Sequence, residues 1–211
     1  MSAPRHLLAA ALLGLAGTGA QALDIGGLTL DEQGFADTLT ASEGSYVTQG
    51  GTLGAVLTDG SLASWAMSDT PGAYVTLAFV DNRIVNGPGN DIALFERGHE
   101  AYEYSQEGFD SFNVTINGIT RLYFTTETTT IVDDYNVNMT TLDLDFFGIA
   151  PGATIDSLTI GMDYDTRGSR PQLMLVAGIH SIAAPVPEPA TAASTLLGLA
   201  ALAAWRRRRA A

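Results

Sequence analysis

Nucleophilic and acid–base chemistry draws on a small set of side chains, and this chain supplies few of them. There is no cysteine in the 211 residues, and beyond the N-terminal His6 the histidines are His99 and His180. A serine or threonine nucleophile needs a base beside it. Neither a G-x-S-x-G elbow nor an HExxH pair occurs, and no phosphate-cradling loop or dinucleotide fingerprint is present. His180 lies in the apolar stretch QLMLVAGIHSI and reads as structural. His99, in ERGHEAYEYSQEG among Glu96, Glu100, Glu103 and Glu107, reads as part of a solvated polar loop. Glycoside hydrolysis needs two carboxylates flanking a sugar bond, but in so acidic a chain some close pair arises by chance. Asp143 and Asp145 on one strand face, Asp163 and Asp165 around Tyr164, and Asp133-Asp134 at a turn all read as solvated edges. Tyr102, Tyr104, Phe109 and Tyr123 could form a sugar-stacking platform, against the plainer reading of core packing or scattered exposure. The expectation is a protein that is not an enzyme.

One stretch has the makings of a cation site: Asn86-Gly87-Pro88-Gly89-Asn90-Asp91, with Glu96 five residues on. Calcium takes six to eight oxygens, and tight glycine turns can aim carbonyls inward while Asn and Asp side chains complete the shell. Asn86, Asn90, Asp91 and Glu96 are the candidate ligands of a structural calcium. The competing reading is a simple hairpin-type turn and no cofactor at all.

The elements that must position these residues are strands. Apolar residues repeat mostly at two in AYVTLAFV (73–80), DIALFE (91–96), SFNVTING (111–118), TRLYFTT (120–126), TLDLDFF (141–147), TIDSLTIGM (154–162) and QLMLVAGIHSI (172–182). Between them stand Thr70-Pro71-Gly72, the 86–90 turn, Asn117-Gly118 and Ala150-Pro151-Gly152. Asn117-Gly118 between two alternating runs is the strongest hairpin signal. Many short antiparallel strands predict an all-β, antiparallel β-sandwich of jelly-roll type over residues 23–183, flanked by a helix at each end.

Charge narrows the partners. All ten basic residues are Arg. With Arg5, Arg206, Arg207, Arg208, Arg209 and Glu188 set aside, 5 Arg face 22 Asp and Glu, a net charge of −17. Such a surface repels phosphate backbones and anionic lipid, which argues against nucleic acid and leaves divalent cations and neutral glycans as better candidates. Absence of Cys excludes a disulfide framework and a thiolate metal site.

The two ends carry addresses. Arg5 and His6, then LLAAALLGLAGTG, then Ala20-Gln21-Ala22 make a positive n-region, an apolar h-region and small residues at −3 and −1: a secretory signal over residues 1–22, cut before Leu23 and exported through the Sec machinery. At the other end Ala183–Ala190, AAPVPEPA, reads as an extended spacer. The apolar run 190–205 has 16 residues, which at ~1.5 Å of rise each spans ~24 Å, short of the ~30 Å hydrocarbon core. It suits a temporary anchor, with Arg206, Arg207, Arg208 and Arg209 stopping translocation.

Pro187-Glu188-Pro189, an apolar segment and a terminal Arg cluster together resemble the PEP-CTERM sorting signal of Gram-negative, exopolysaccharide-producing bacteria. The resemblance covers residues 184–211. It implies transient anchoring in the inner membrane, cutting near the PEP motif by an exosortase, and delivery to the cell surface or extracellular matrix, with Glu188 a recognition residue. VDNRIVNGPGNDIALFE, FDSFNVTING and FGIAPGATIDSLTI are in turn similar to a β-sandwich domain common in such proteins and related to galactose-binding-like modules. Gly87, Gly89, Asp91, Phe95 and Glu96 fit that pattern. Met174 stands where such domains often carry an Asp in the last strand. The expectation is an exported non-enzymatic surface protein associated with exopolysaccharide or biofilm. The alternatives are a carbohydrate-binding or adhesion module and a glycan-active enzyme at the same address.

Overall fold

A computed structural model of the chain describes residues 22–101, 110–162 and 170–184. Residues 1–21 of the signal segment, with Ala20, the PEP motif, the apolar run and the arginine cluster lie outside the described residues, while Ala22, the last residue of the expected signal, is the first residue of a strand and pairs with Asp31. So do Tyr102, Glu103, Tyr104, Glu107, Phe109, Asp163, Tyr164 and Asp165.

The described chain is all-β and antiparallel. Its strands are β1 (Ala22–Ile25), β2 (Leu28–Asp31), β3 (Thr38–Glu43), β4 (Val47–Gln49), β5 (Trp65–Met67), β6 (Tyr74–Ala78), β7 (Asn82–Val85), β8 (Ile92–Glu100), β9 (Ser111–Ile116), β10 (Ile119–Phe124), β11 (Thr126–Val132), β12 (Tyr135–Leu142), β13 (Thr154–Ile155), β14 (Ser157–Gly161), β15 (Leu173–Gly178) and β16 (Ser181–Ala183). One short helix, α1 (Leu53–Thr58), buries Val56 and Leu57 against the sheets. Among the described residues no helix is long and apolar enough to cross a membrane.

Two large sheets face each other. One has the order β10-β9-β14-β6-β3, the other β11-β12-β8-β15-β5-β4. Their inward positions interleave into one core: Val75, Leu77, Phe112, Val114, Leu158 and Ile160 from the first, Ile92, Leu94, Leu142, Leu173 and Val176 from the second. A three-stranded sheet, β13-β7-β16, adds Ile84 and Ile155 to the same core. Alternation along each strand places the intervening residues on the outer faces. On the outer face of the first sheet Thr76, Thr159, Thr115 and Thr120 stand in one cross-strand row, with hydroxyl contacts at 2.9 Å and 2.7 Å.

The second sheet is covered on both sides. Ala93, Phe95, Val137, Leu175 and Ala177 point away from the sandwich core and are sealed by Ile25, Leu30 and Phe35 of the β1–β2 hairpin and the turn after it. In β15 the register slips between Leu173 and Leu175, so Met174 and Leu175 both reach this outer cluster. The bulge is how an apolar run without strict alternation serves two cores.

Several sequence expectations meet their elements. Asn117-Gly118 turns with φ of 52° and 74°, the left-handed pair that a two-residue hairpin needs. Asp133-Asp134 does the same, at 48° and 66°, between β11 and β12. Three expectations are corrected. The segment 141–147 is not a strand beyond Leu142: Asp143 accepts from the Asp145 N–H and caps a 3-10 turn, Leu144–Phe147, which buries Leu144 and Phe147 on one side. Asp143 and Asp145 therefore share a cap and no strand face. His99 is not in a loop, because β8 runs on to Glu100. The spans 154–162 and 172–182 each break into two strands in different sheets, at Asp156 and at Ile179-His180.

Candidate functional site

The strand β8 gathers the chemistry. Its preceding residue Asp91 is fully buried. Asp91 Oδ1 accepts from the Gly87 N–H at 2.7 Å and from His180 Nδ1 at 2.9 Å, and Oδ2 accepts from the Leu144 N–H at 2.9 Å. Its backbone is equally occupied, the N–H bonding Leu142 O and the carbonyl accepting from Ile179. One carboxylate thus ties the 86–90 turn, the 3-10 turn and the β15–β16 bend. Gly87 is required here by space: a Cβ would lie 2.3 Å from His180 Nδ1.

Asn86 belongs to the same cluster, donating through Nδ2 to Asp145 Oδ1 at 2.8 Å and to the Ile149 carbonyl at 2.6 Å. Asn90 is exposed, and Glu96 is held elsewhere, at the far end of the buried stretch of β8. The structure therefore brings Asn86 and Asp91 together and separates Glu96 from them. Among the described residues no group of three or more His, Asp or Glu side chains is gathered.

Glu96 is on the inward face, opposite Asn138 and Leu173 on the neighbouring strands, and is fully buried. Its Oε1 bonds Thr125 Oγ1 and receives Asn138 Nδ2 at 3.2 Å, while Oε2 has no hydrogen-bond partner. Thr125 Oγ1 also lies 3.1 Å from the Asp110 carbonyl. A single hydroxyl proton cannot serve both neighbours, whereas a protonated Glu96 supplies the second. Desolvation by burial, reinforced by the negative charge of Asp110, pushes the Glu96 carboxyl up to about 8. At neutral pH it is a neutral, enclosed group.

The next residue, Arg97, faces outward. Its guanidinium carbon lies 3.3 Å from the Tyr135 ring centroid and 5.3 Å from that of Trp65. One terminal nitrogen donates to Gln172 Oε1 at 3.1 Å. Beside it is a cavity of about 100 Å³ lined by Gln49, Leu62, Trp65, Arg97, Asp133 and Met174. Sequence reasoning did not single out Trp65 or Arg97. No linear signal could have found them, because Trp65 and Arg97 are 32 residues apart and stand on strands separated by β15. Tyr123, expected as a possible platform member, is half-buried and stacks on Phe147, with ring centroids 6.1 Å apart.

Residues 185–209 match the PEP-CTERM protein-sorting motif. The motif marks an exported chain, transiently held at the membrane, processed by an exosortase and delivered to the surface or beyond it. No curated protein of similar sequence was found. One solved structure, the crystal structure of the Agl-KA catalytic domain, matches with a TM-score of 0.34 and 14% identity, over 76% of this chain and 31% of that one, a likeness too small to bear on fold or activity.

Two outcomes are expected from this geometry. Gly87→Ala forces its new methyl into His180 and costs about 2 kcal/mol by overpacking; His180→Ala costs about 1–3 kcal/mol as a lost bond to a charged acceptor. The double variant is more stable than the sum of the two costs predicts by about 1 kcal/mol or more, because removal of the ring relieves the clash. Urea denaturation of the four proteins measures this, and strict additivity would show that the two residues do not meet.

For Glu96 the sign follows from a folded value near 8 against 4.5 in the unfolded chain. The folded state holds the proton more tightly, so this group's contribution is most favourable below pH 4.5 and is lost as pH rises toward 8, reaching roughly 3 kcal/mol of penalty at pH 7. Glu96→Gln keeps the shape without the titration. Its stability relative to the parent rises from near parity at pH 4.5 to an advantage of about 2 kcal/mol or more at pH 7.5, measured by denaturation across that range. A difference that does not vary with pH contradicts the assignment.

Proposed function

We propose that this is an exported, non-enzymatic cell-surface or matrix protein whose β-sandwich, residues 23–183, associates with exopolysaccharide after an exosortase releases it from an inner-membrane intermediate. The observation that carries this reading is the sorting motif at residues 185–209. Segment 1–22 serves as the Sec signal and 184–211 as the linker and temporary anchor, with Pro187, Glu188 and Pro189 for recognition and the four arginines as the stop. The jelly-roll-like sandwich is the cargo.

Three features of the cargo support a non-catalytic role. His180 is committed to a buried carboxylate. His99 is exposed at the end of a strand. Of the two carboxyls held above the usual range among the described residues, Glu96 is sealed from solvent, so a substrate has no path to it, whereas Asp81, raised by burial and by its neighbour Asp37, is exposed. The same logic favours no structural calcium at the 86–91 turn: N–H donors from Gly87, Leu144 and His180 surround the Asp91 oxygens, and donors aimed at a carboxylate occupy the directions from which a cation would bind.

Protein recovered from outside cells of a host that carries an exosortase is expected to start at Leu23 and to lack Arg206, Arg207, Arg208 and Arg209 by intact-mass measurement. Recovery of the whole 190–211 tail on extracellular material sinks the export reading. The same protein is expected to show no turnover above background on ester, peptide and glycoside panels, and the same melting temperature in millimolar calcium as in EDTA. Calcium at 100 times its dissociation constant would add ~2.7 kcal/mol, so a bound structural ion would be plain in the melt.

A further inference from the structure

We propose that the outer face of the six-stranded sheet carries a binding subsite for a neutral pyranose ring of a polysaccharide, built on Trp65, Arg97 and Tyr135. The proposal deepens the exopolysaccharide reading above and rests on it for biological context, but the site's chemistry is independent of export.

The residues form a line across the sheet. Gln49 on β4 pairs with Trp65 on β5, Gln172 precedes β15, Arg97 is on β8, and Tyr135 opens β12 opposite Glu100. Alternation puts Trp65, Arg97 and Tyr135 on one face, and the N-terminal hairpin that seals the rest of that face packs on Phe95, Val137 and Leu175. At this end Trp65, Arg97, Gln172 and Tyr135 remain half-buried, while Gln49 and Asp133 are exposed.

Each part has a role in sugar recognition. An aromatic face accepts the C–H face of a pyranose as an apolar surface, and Trp65 with Met174 and Leu62 makes the cavity's apolar floor and wall. Hydroxyls donate and accept at once, so a sugar is held best where donors and acceptors stand together. Here Arg97 supplies N–H donors, Asp133 a carboxylate and Gln49 an amide with both. The guanidinium is held over the Tyr135 ring and steadied by Gln172, which removes the rotamer freedom that a long side chain otherwise loses on binding. No salt bridge to Arg97 occurs among the described residues.

Charge decides between neutral and acidic sugars. Asp133 lines the cavity, and Glu100 Oε1 lies 2.9 Å from the Tyr135 hydroxyl. With a net charge of −17 on the sandwich segment, a uronate-rich chain is repelled at every separation within a Debye length. The cavity of about 100 Å³ has the volume of roughly three waters. That is less than a whole pyranose, so the cavity takes one edge of a ring while the rest lies over the exposed rim, which predicts weak single-site binding strengthened by repetition along a polymer.

The chain has two tryptophans, Trp65 and Trp205. A full chain carrying Trp205→Phe, purified in detergent, therefore reports on Trp65 alone by fluorescence whether or not it is processed. It is titrated with soluble glucans, galactans and mannans and with alginate and polygalacturonate, and the same polymers are cast in native gels for retardation. At least one neutral polysaccharide is expected to shift the emission and retard the protein. Trp65→Phe lowers the gel affinity about tenfold, Arg97→Met does likewise, and Phe146→Ser, on the opposite sheet's side, changes it less than twofold. Thermal melts accompany each variant, and Asp133→Asn, at an exposed turn residue, gives a several-fold loss without loss of fold. No response to any neutral polymer, binding by Asp133→Asn and Arg97→Met that equals the parent's, or tighter binding to the acidic polymers overturns the proposal. Failure of tail processing in the mass experiment, with binding intact, overturns only the export reading.

Discussion

Burial of one strand on both faces is the constraint on which the rest of this structure depends. From Ile92 to Phe95 every side chain of β8 is removed from water, Ile92 and Leu94 into the core between the sheets and Ala93 and Phe95 under the N-terminal hairpin. A strand placed like this can slip neither one residue nor two without exposing one apolar set or burying a polar one. It therefore sets the register of β12 and β15 on either side. It also makes the β1–β2 hairpin obligatory, because without Ile25, Leu30 and Phe35 a continuous apolar patch would face solvent.

The same constraint dictates what happens where the strand ends. Polar groups that flank a doubly buried segment are drawn partly inside, and each must find partners or change its charge. Asp91 finds partners: three donors from three separate loops converge on it, so the carboxylate is both solvated by protein and the tie that closes that end of the sandwich. Glu96 finds only two, leaves one oxygen unpaired, and takes up a proton instead. One residue further on, Arg97 is past the hairpin's cover and comes to the surface, where two rings hold it. Seven residues, from Asp91 just before the strand to Arg97 on it, thus pass from a buried carboxylate tied by three donors, through a neutralised acid, to a cation presented to solvent.

How much of this was legible in the sequence follows from the range of each interaction. Period-two runs and φ-positive turns are local, so β6, the first part of β8, β9, β10, β14 and β15 and the turns at Asn117 and Asp133 could be read directly, while β7 and β12 could not. The first third could not: β4 and β5 are three residues each, β3 is exposed over most of its length and lacks apolar alternation, and α1 is a six-residue helix in a glycine-rich stretch. Thr126–Val132 was missed because a Thr-rich edge strand is exposed along most of its length and carries little apolar signal. The candidate calcium ligands were grouped by proximity in sequence. Yet Asp91 and Glu96 lie at opposite ends of the buried stretch, and Asp91's partners come from 53 and 89 residues away. The Trp65–Arg97–Tyr135 line depends on cross-strand register and could not have been read at all.

The exit of the chain also has a physical consequence for the tethered state. β16 ends at Ala183, pairs with β7, and is fastened once more by the Ala184 N–H to Asp81 O at 2.8 Å. The spacer read from AAPVPEPA is thus shorter than its composition implied, because its first residues belong to the sandwich. A chain advances at most ~3.3–3.6 Å per residue, so with the apolar run from Ala190 as the proposed anchor, the stretch from Ala184 would hold the sandwich no further than about 20 Å from the membrane surface. Repulsion between an acidic domain and anionic lipid decays over a Debye length of about 8 Å at physiological salt. On the export route proposed above, such a leash would let the domain sit beyond the reach of the membrane's charge while keeping residues 187–189 close to the bilayer for processing.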